Sequence, residues 1–151
     1  MTDIYGKAME AYKLIFGKCD LDSFDARLKF QKTIYLLKAF GINFQELKFT
    51  WYKRGPYCFD LSGAQYKASA ETGNLSEVEV GKIKNNKNKI SSLLSDPSKA
   101  ELFSSVTYLY KDEKLTGVEI IKKMSLVKPW FKKEEIENTI KKVKEFLSDF
   151  S

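Results

Sequence analysis

The sequence places Arg54, Gly55, Pro56 and Tyr57 next to one another, which combines recognition side chains with a turn signal. Gly and Pro favour turns, and Pro56 fixes its own φ, so the side chains of Arg54 and Tyr57 would be held with little entropy loss. Tyr and Arg are among the residue types most enriched at binding hot spots. The segment therefore predicts a recognition corner. The alternative is a structural corner in which Tyr57 fills the core.

Gln31 and Tyr35 lie one helical turn apart in the segment before this corner. Residues four apart project from the same face of a helix. We expect that face to meet the corner, so that Gln31 and Tyr35 join Arg54 and Tyr57 in one region.

A lysine-rich segment, KIKNNKNK, occupies residues 82–89 and is the second candidate for function. Lysines seven residues apart share a helix face, and such a strip could neutralise phosphates without reading sequence. No aromatic residue interrupts the segment, so stacking on single strands is not predicted. Of the two interpretations, phosphate contact and a solvated helix face, we favour the solvated helix face. The lysines are Lys82, Lys84, Lys87 and Lys89.

The C-terminal helices around residues 128–133, KPWFKK, have the order of a helix-turn-helix. The second of these helices carries lysines, but Glu134, Glu135, Glu137 and Glu145 share it. A recognition helix should not present that much acid to phosphate, so we predict a packing helix of mixed charge.

The chain contains no histidine, which excludes several kinds of catalytic site. A Ser-His-Asp or Cys-His nucleophile, a His-ligated zinc ion and imidazole acid–base catalysis all need that residue. Cys19 and Cys58 form no CxxC pair and cannot build a four-thiolate zinc site, and we expect both to be reduced thiols. No calcium-loop or phosphate-loop motif is present. We predict a protein that is not an enzyme and that needs neither metal nor cofactor.

Composition indicates an ordered, soluble chain. Its 151 residues suit one domain over residues 1–151, and 43% of them are hydrophobic. No apolar run approaches the ~18–20 residues of a membrane-spanning helix, and the N-terminal residues, with Asp3 and Glu10, do not have the layout of a signal peptide, so we expect a cytoplasmic protein. The net charge of +6 favours a well-solvated surface, with attraction to nucleic acid or an acidic protein as the alternative.

Apolar spacing predicts helices over residues 3–17, 24–40 and about 132–149, and the second is apolar on most sides and should be central. Asp22 or Ser23 is expected to cap that helix. Alternation over residues 47–53 predicts a strand, followed by a turn at residues 54–57 and a helix from about 58 to 70 that ends near Gly73.

Three further helix starts carry clear signals. Capping boxes begin at Ser76 and Thr116, and Asp96 precedes Pro97 at a first helical position. The apolar stripe of the helix from Ser76 extends to Leu94. The predicted fold class is mainly α: a compact bundle of six or seven helices with a short β-strand pair, for which a winged-helix-like arrangement is left open.

In the order and spacing of several short motifs, the chain resembles YwgA-like proteins. Residues 27–37, RLKFQKTIYLL, are similar to the family pattern R-x-x-L-Q-K-x-x-Y-L-L, with Phe30 in place of Leu. Phe49, Tyr52 and residues 55–58 resemble the segment that often ends in G-P-Y-S. Residues 102–109 are similar to an L-A-S-x-x-Y-L helix, and residues 128–136 to K-P-x-F-x-x-x-E-I. The resemblance extends from about residue 24 to 147.

The resemblance implies a role in partner binding. The Q-K-x-x-Y and G-P-Y core is also similar to Panacea-type antitoxin domains and to the C-terminal domain of macrodomain antitoxins that oppose DNA ADP-ribosylating toxins. In those relatives the domain binds and neutralises a toxin or a nucleic-acid-directed enzyme. Cys58 departs from the usual Ser, and no macrodomain is attached, so ADP-ribose hydrolysis is not implied. The implied partner-binding positions are Gln31, Tyr35, Tyr52, Arg54, Gly55, Pro56 and Tyr57.

Two functions follow as expectations. The first is a non-enzymatic YwgA-like binding protein, an antitoxin or regulator whose partner is a toxin or a regulated enzyme. The second is a nucleic-acid-binding regulator that contacts phosphates through the lysines of residues 82–89. The sequence leaves a homodimer open.

Overall fold

The computed structural model describes residues 3–68 and 74–149 of the chain. Within these ranges the fold is mainly α, which confirms the predicted class. It comprises eight α-helices, one π-helix and a two-stranded antiparallel sheet. The elements are α1 (Ile4–Phe16), α2 (Phe24–Ala39), β1 (Thr50–Tyr52), β2 (Gly55–Tyr57), α3 (Ala64–Lys67), α4 (Glu77–Asn85), α5 (Lys87–Leu93), α6 (Pro97–Thr107), the π-helix (Tyr108–Asp112), α7 (Gly117–Val127) and α8 (Lys133–Asp149).

The helix starts lie where short-range signals predict them. The side chains of Ser76 and Thr116 each accept from the backbone N–H three residues on, and both capping boxes are complete. Asp96 caps α6 with Pro97 at its first turn. Of the two candidate caps for α2, it is Ser23 whose Oγ accepts from the backbone of Ala26, at 3.0 Å. These groups satisfy N–H donors that the helix itself leaves unpaired.

Helix α2 is the centre of the fold, as its apolar sides predict. Every residue from Phe30 to Leu37 is buried. The helix packs against α1, α6 and β2, and α6 packs in turn against α8. The buried stretch includes Gln31, Lys32 and Thr33, whose polar atoms must find partners inside the protein.

The predicted strand and turn are both displaced. Pairing is limited to residues 50–52, opposite residues 55–57 in a two-stranded hairpin, with Trp51 facing Pro56. Residues 53 and 54 make the turn, so Gly55, Pro56 and Tyr57 form the second strand rather than the corner itself. Burial still alternates over residues 47–52 as predicted, with Leu47 buried and Lys48, Thr50 and Tyr52 exposed. Pro56 is tolerated because it lies in a short edge strand.

Two predicted helices differ in length. The helix expected over about residues 58–70 is confined to α3, after a series of turns; the predicted end near Gly73 lies outside the described residues. The helix expected from Ser76 to Leu94 is divided at Asn86 into α4 and α5. Asn86 is buried, and Nδ2 of its side chain donates to the backbone carbonyl of Lys82 at 2.8 Å. This division gives eight α-helices in the described ranges, where six or seven were expected.

No helix in the described ranges combines the length and the apolar character that crossing a bilayer requires.

Candidate protein-binding surface around the hairpin

Gln31 fixes the chain just beyond the hairpin. Its Nε2 donates to the carbonyl of Cys58 at 2.9 Å, and its Oε1 accepts from the N–H of Cys58 at 2.9 Å. Both bonds are buried, so this one side chain satisfies two backbone groups that no sheet neighbour reaches. The meeting of Gln31 with the segment after Pro56 was expected from the sequence, but its part there is to hold the backbone.

Tyr35 does not join that region. Its hydroxyl donates to Oδ2 of Asp112 in the π-helix at 2.7 Å. Its ring packs edge-on against Phe49, with the ring centres 5.3 Å apart. Burial and the bond to Asp112 raise the pKa of the Tyr35 phenol far above its usual value. The structure thus separates Gln31 from Tyr35, although both project from α2.

Two buried lysines hold the hairpin from beneath. Nζ of Lys32 donates to the carbonyl of Pro56 at 2.7 Å, and Nζ of Lys128 donates to the carbonyl of Lys53 at 3.1 Å. Only 1% of Lys32 and 2% of Lys128 are exposed. The carboxylate of Glu101, also buried, accepts from Lys128 at 2.8 Å. One buried carboxylate therefore offsets two buried ammonium groups, both of which are bonded to the hairpin.

The charge of Lys32 is costly in this environment. Burial lowers the pKa of Lys32 from 10.5 to about 7; Glu101 opposes this shift, and Lys128 and Arg54 add to it. Sequence reasoning missed both lysines as structural groups. Because Lys is almost never fully buried, nothing local distinguishes these two from surface lysines.

Gly55 lets the hairpin approach α6 closely. Its φ is +95°, and a Cβ at this position would lie 2.5 Å from Oγ of Ser105 and 3.6 Å from Nζ of Lys32. Oγ of Ser105 is buried and has no hydrogen-bond partner among the described residues. Glycine is therefore required here by both backbone conformation and space.

Gly55→Ala is expected to destabilise the protein by about 2–4 kcal/mol. The added methyl group strains the backbone at positive φ and also overlaps with the side chain of Ser105. Urea unfolding followed by circular dichroism measures the change. Gly81→Ala in α4 is the matched control: nothing lies within 4 Å of its added methyl, and a helix favours Ala. Adding Ser105→Ala to Gly55→Ala should recover part of the loss. Equal stability of Gly55→Ala and the wild type would contradict this account.

The outer side of the hairpin displays an aromatic and cationic surface. Tyr52 is 44% exposed, Phe59 59% and Phe24 57%. The ring centres of Tyr52, Tyr57 and Phe59 lie 5.0–5.6 Å from one another. The guanidinium carbon of Arg54 lies 5.4 Å from the centre of the Phe24 ring. We call these five residues, Phe24, Tyr52, Arg54, Tyr57 and Phe59, the hairpin surface.

A small apolar pocket of about 100 Å³ adjoins the hairpin surface. Phe24 and Tyr57 line it on the surface side, with Leu28 and Leu61 among the residues that complete it. A second, larger cleft of about 450 Å³ lies on the cationic side, where Lys53 and Arg54 outnumber the one acidic residue of its lining, Glu101. The hairpin surface is thus bordered by an apolar recess and by a basic cleft.

The seven residues predicted to bind a partner divide by accessibility. Gln31, Tyr35, Gly55 and Pro56 are buried, whereas Tyr52, Arg54 and Tyr57 reach the hairpin surface. Sequence reasoning missed Phe24 and Phe59. Phe24 directly follows the helix cap Ser23, and Phe59 directly follows Cys58, whose backbone bonds to Gln31. In the sequence, an aromatic residue at such a position is readily taken for part of the core.

The lysines of residues 82–89 lie elsewhere. They belong to α4 and α5, which pack on α1, whereas β2 packs on α2 and α6. Lys84, Lys87 and Lys89 are exposed and Lys82 is half-buried. Because the helix is divided at Asn86, Lys82 and Lys89 do not lie on one continuous helix face.

The fold and the hairpin surface define a mainly α protein that presents exposed aromatic rings beside cationic side chains. No protein-family model and no curated protein matches the chain at a significant level. The resemblance to YwgA-like proteins stays a prediction.

Proposed function

We propose that this chain is a non-enzymatic binding protein that recognises another protein through the hairpin surface. The observation that carries the proposal is the exposure of Phe24, Tyr52 and Phe59 on one continuous surface with Arg54 and Tyr57. Exposed apolar groups that adjoin one another mark binding surfaces, and Tyr and Arg dominate hot spots.

The charge around this surface favours an acidic partner. Lys53 and Arg54 border the hairpin surface at the larger cleft, and the whole chain carries a net charge of +6. Complementary potentials steer association and discriminate between partners. The partner is therefore expected to offer apolar side chains to the aromatic rings and carboxylates to Lys53 and Arg54.

The rigidity of the hairpin supports the same function. Gln31, Lys32 and Lys128 hold its backbone through buried bonds, so little order has to be gained when a partner binds. The absence of histidine from the chain agrees with a binding role rather than catalysis. Within the resemblance to YwgA-like proteins, we propose an antitoxin or regulator that binds a toxin or a regulated enzyme.

Replacing Tyr52 and Phe59 together with Ser is expected to weaken partner binding by about 30-fold or more, since a hot-spot residue contributes at least ~2 kcal/mol. Tagged wild-type and variant chains are expressed in the organism that encodes the protein and are used to purify its partners. Cross-linking mass spectrometry then maps the contact. The matched control replaces Val118 and Leu126 on α7 with Ser, because these are also exposed apolar residues. A partner retained equally by both double variants, or no partner at all, would overturn the proposal.

The nucleic-acid alternative has one observation in its favour. Lys84, Lys87 and Lys89 are exposed, and none of them pairs with a carboxylate in the described part of the chain. A salt titration with duplex DNA separates the two functions. Affinity that falls steeply with salt, and that replacement of these lysines with Gln removes, would assign function to α4 and α5. Absence of binding at low salt removes the alternative.

A further inference from the structure

A further cleft, larger than either of the two beside the hairpin, lies away from the hairpin surface. Its volume is about 520 Å³, within the range of small-molecule sites. It lies beside the C-terminal end of α2, between the loop of residues 41–49 and the π-helix. Polar and apolar groups line it together, with Tyr35, Phe49 and Tyr108 as the aromatic walls.

Three lysines make this cleft cationic. Lys38, Lys48 and Lys111 line it against a single acidic residue, Asp112. Lys38 donates to the carbonyl of Leu47 at 2.6 Å, and Lys111 donates to the carbonyl of Ala39. An ammonium group has three donors, so each of these lysines keeps donors for a ligand. None of the three pairs with a carboxylate in the described part of the chain.

Tyr35 holds Asp112 in a defined position on the cleft wall. Oδ2 of Asp112 accepts from the Tyr35 hydroxyl at 2.7 Å, while its other oxygen accepts no hydrogen bond from a described donor. Asp112 ends the π-helix Tyr108–Asp112, a rare conformation that is frequent at functional sites. A carboxylate fixed on one side in this way can accept a hydrogen bond from a ligand on the other.

We propose that this cleft binds a free mononucleotide. The phosphate accepts hydrogen bonds from the lysine ammonium groups, a ribose hydroxyl donates to Asp112, and the base packs against Phe49 and Tyr108. Lysine is a common phosphate ligand, and aromatic side chains stack on bases of every type. The site is independent of partner binding at the hairpin surface.

Calorimetric titration with AMP, GMP, CMP and UMP tests the proposal on the full chain. We expect at least one of them to bind with a Kd below about 1 mM, and the nucleoside with the same base, which lacks the phosphate, to bind at least about tenfold more weakly. A 5′-phosphorylated tetranucleotide distinguishes a free nucleotide from the end of a strand. Binding of the tetranucleotide alone would overturn the proposal, as would failure of all four mononucleotides to bind.

Lys48→Glu is expected to weaken mononucleotide binding by about tenfold or more, since it replaces a hydrogen-bond donor to the phosphate by a carboxylate that repels the phosphate. Lys48 is exposed, and Lys84→Glu, at another exposed lysine, is the matched control with the same change in net charge. NMR shifts of backbone amides locate the ligand: the largest changes are expected in residues 35–49 and 108–112. Changes centred on residues 82–89, or equal losses in both variants, would show that charge alone attracts the nucleotide.

Discussion

Glu101→Gln is expected to destabilise the protein by about 3–5 kcal/mol, which is the usual cost of breaking a buried ion pair by removing one partner. Glu101 accepts from Lys128 at 2.8 Å, and both side chains are buried. The substitution keeps the shape of the side chain and removes its charge. Lys128 then remains buried without a counter-charge, close to a second buried ammonium group at Lys32. Lys128 also donates to the carbonyl of Lys53. If Lys128 moves towards water, this hydrogen bond is lost and the turn of the hairpin should loosen.

The exposed pair of Lys123 and Glu113 provides the control. Its closest N–O distance is 3.0 Å, similar to that of the buried pair, but both side chains are about a third exposed. Water already solvates these charges, so Glu113→Gln should cost no more than about 1 kcal/mol. Urea unfolding monitored by tryptophan fluorescence gives both free energies, because Trp51 and Trp130 each lie near Lys128. Equal losses in the two variants would show that Glu101 offsets no buried charge.

Local signals predicted the helical part of the fold well. The capping boxes at Ser76 and Thr116 and the Asp96-Pro97 start each depend on residues within one turn, so no tertiary context was needed. The burial of α2 followed from its large number of apolar side chains, which have few other places to go. These predictions are confirmed to within a residue or two.

Features set by tertiary contacts were not predicted. The division of α4 from α5 places Asn86 in the interior, and a single Asn among lysines gives no such signal. The hairpin is short because Gln31 takes the backbone groups of Cys58 that a longer strand would pair with a neighbour. The candidate surface shows the same limit: the motif residues Gln31 and Tyr35 stabilise the fold, whereas the exposed rings of Phe24 and Phe59 belong to no motif.

The stability of the protein is expected to rise by about 2 kcal/mol between about pH 6 and pH 8.5, because of Lys32. The pKa of Lys32 is about 7 in the folded chain, below its ordinary 10.5. Between these two values the unfolded chain binds a proton that the folded chain has released, so raising the pH favours folding. The destabilisation is greatest below pH 7, where the folded protein must also carry the buried charge. Above about pH 9 the Cys58 thiol and the Tyr12 phenol begin to oppose this rise, since burial raises the pKa of both in the folded chain, that of Tyr12 to about 12.

Lys32→Met tests this assignment, because Met fills a similar volume and carries no charge. The variant loses the hydrogen bond to the carbonyl of Pro56, so it is expected to be less stable at every pH. The informative quantity is therefore the slope of its unfolding free energy with pH. Unfolding free energies from urea titrations at intervals between about pH 6 and 8.5 should rise in the wild type and stay nearly flat in Lys32→Met. Lys123→Met, which removes a lysine whose side chain is about a third exposed, should keep the wild-type slope. A slope that persists in Lys32→Met would place the titrating group elsewhere and leave Lys32 charged beneath the hairpin. A slope that disappears shows that the hairpin rests on an ammonium group that is readily neutralised near physiological pH.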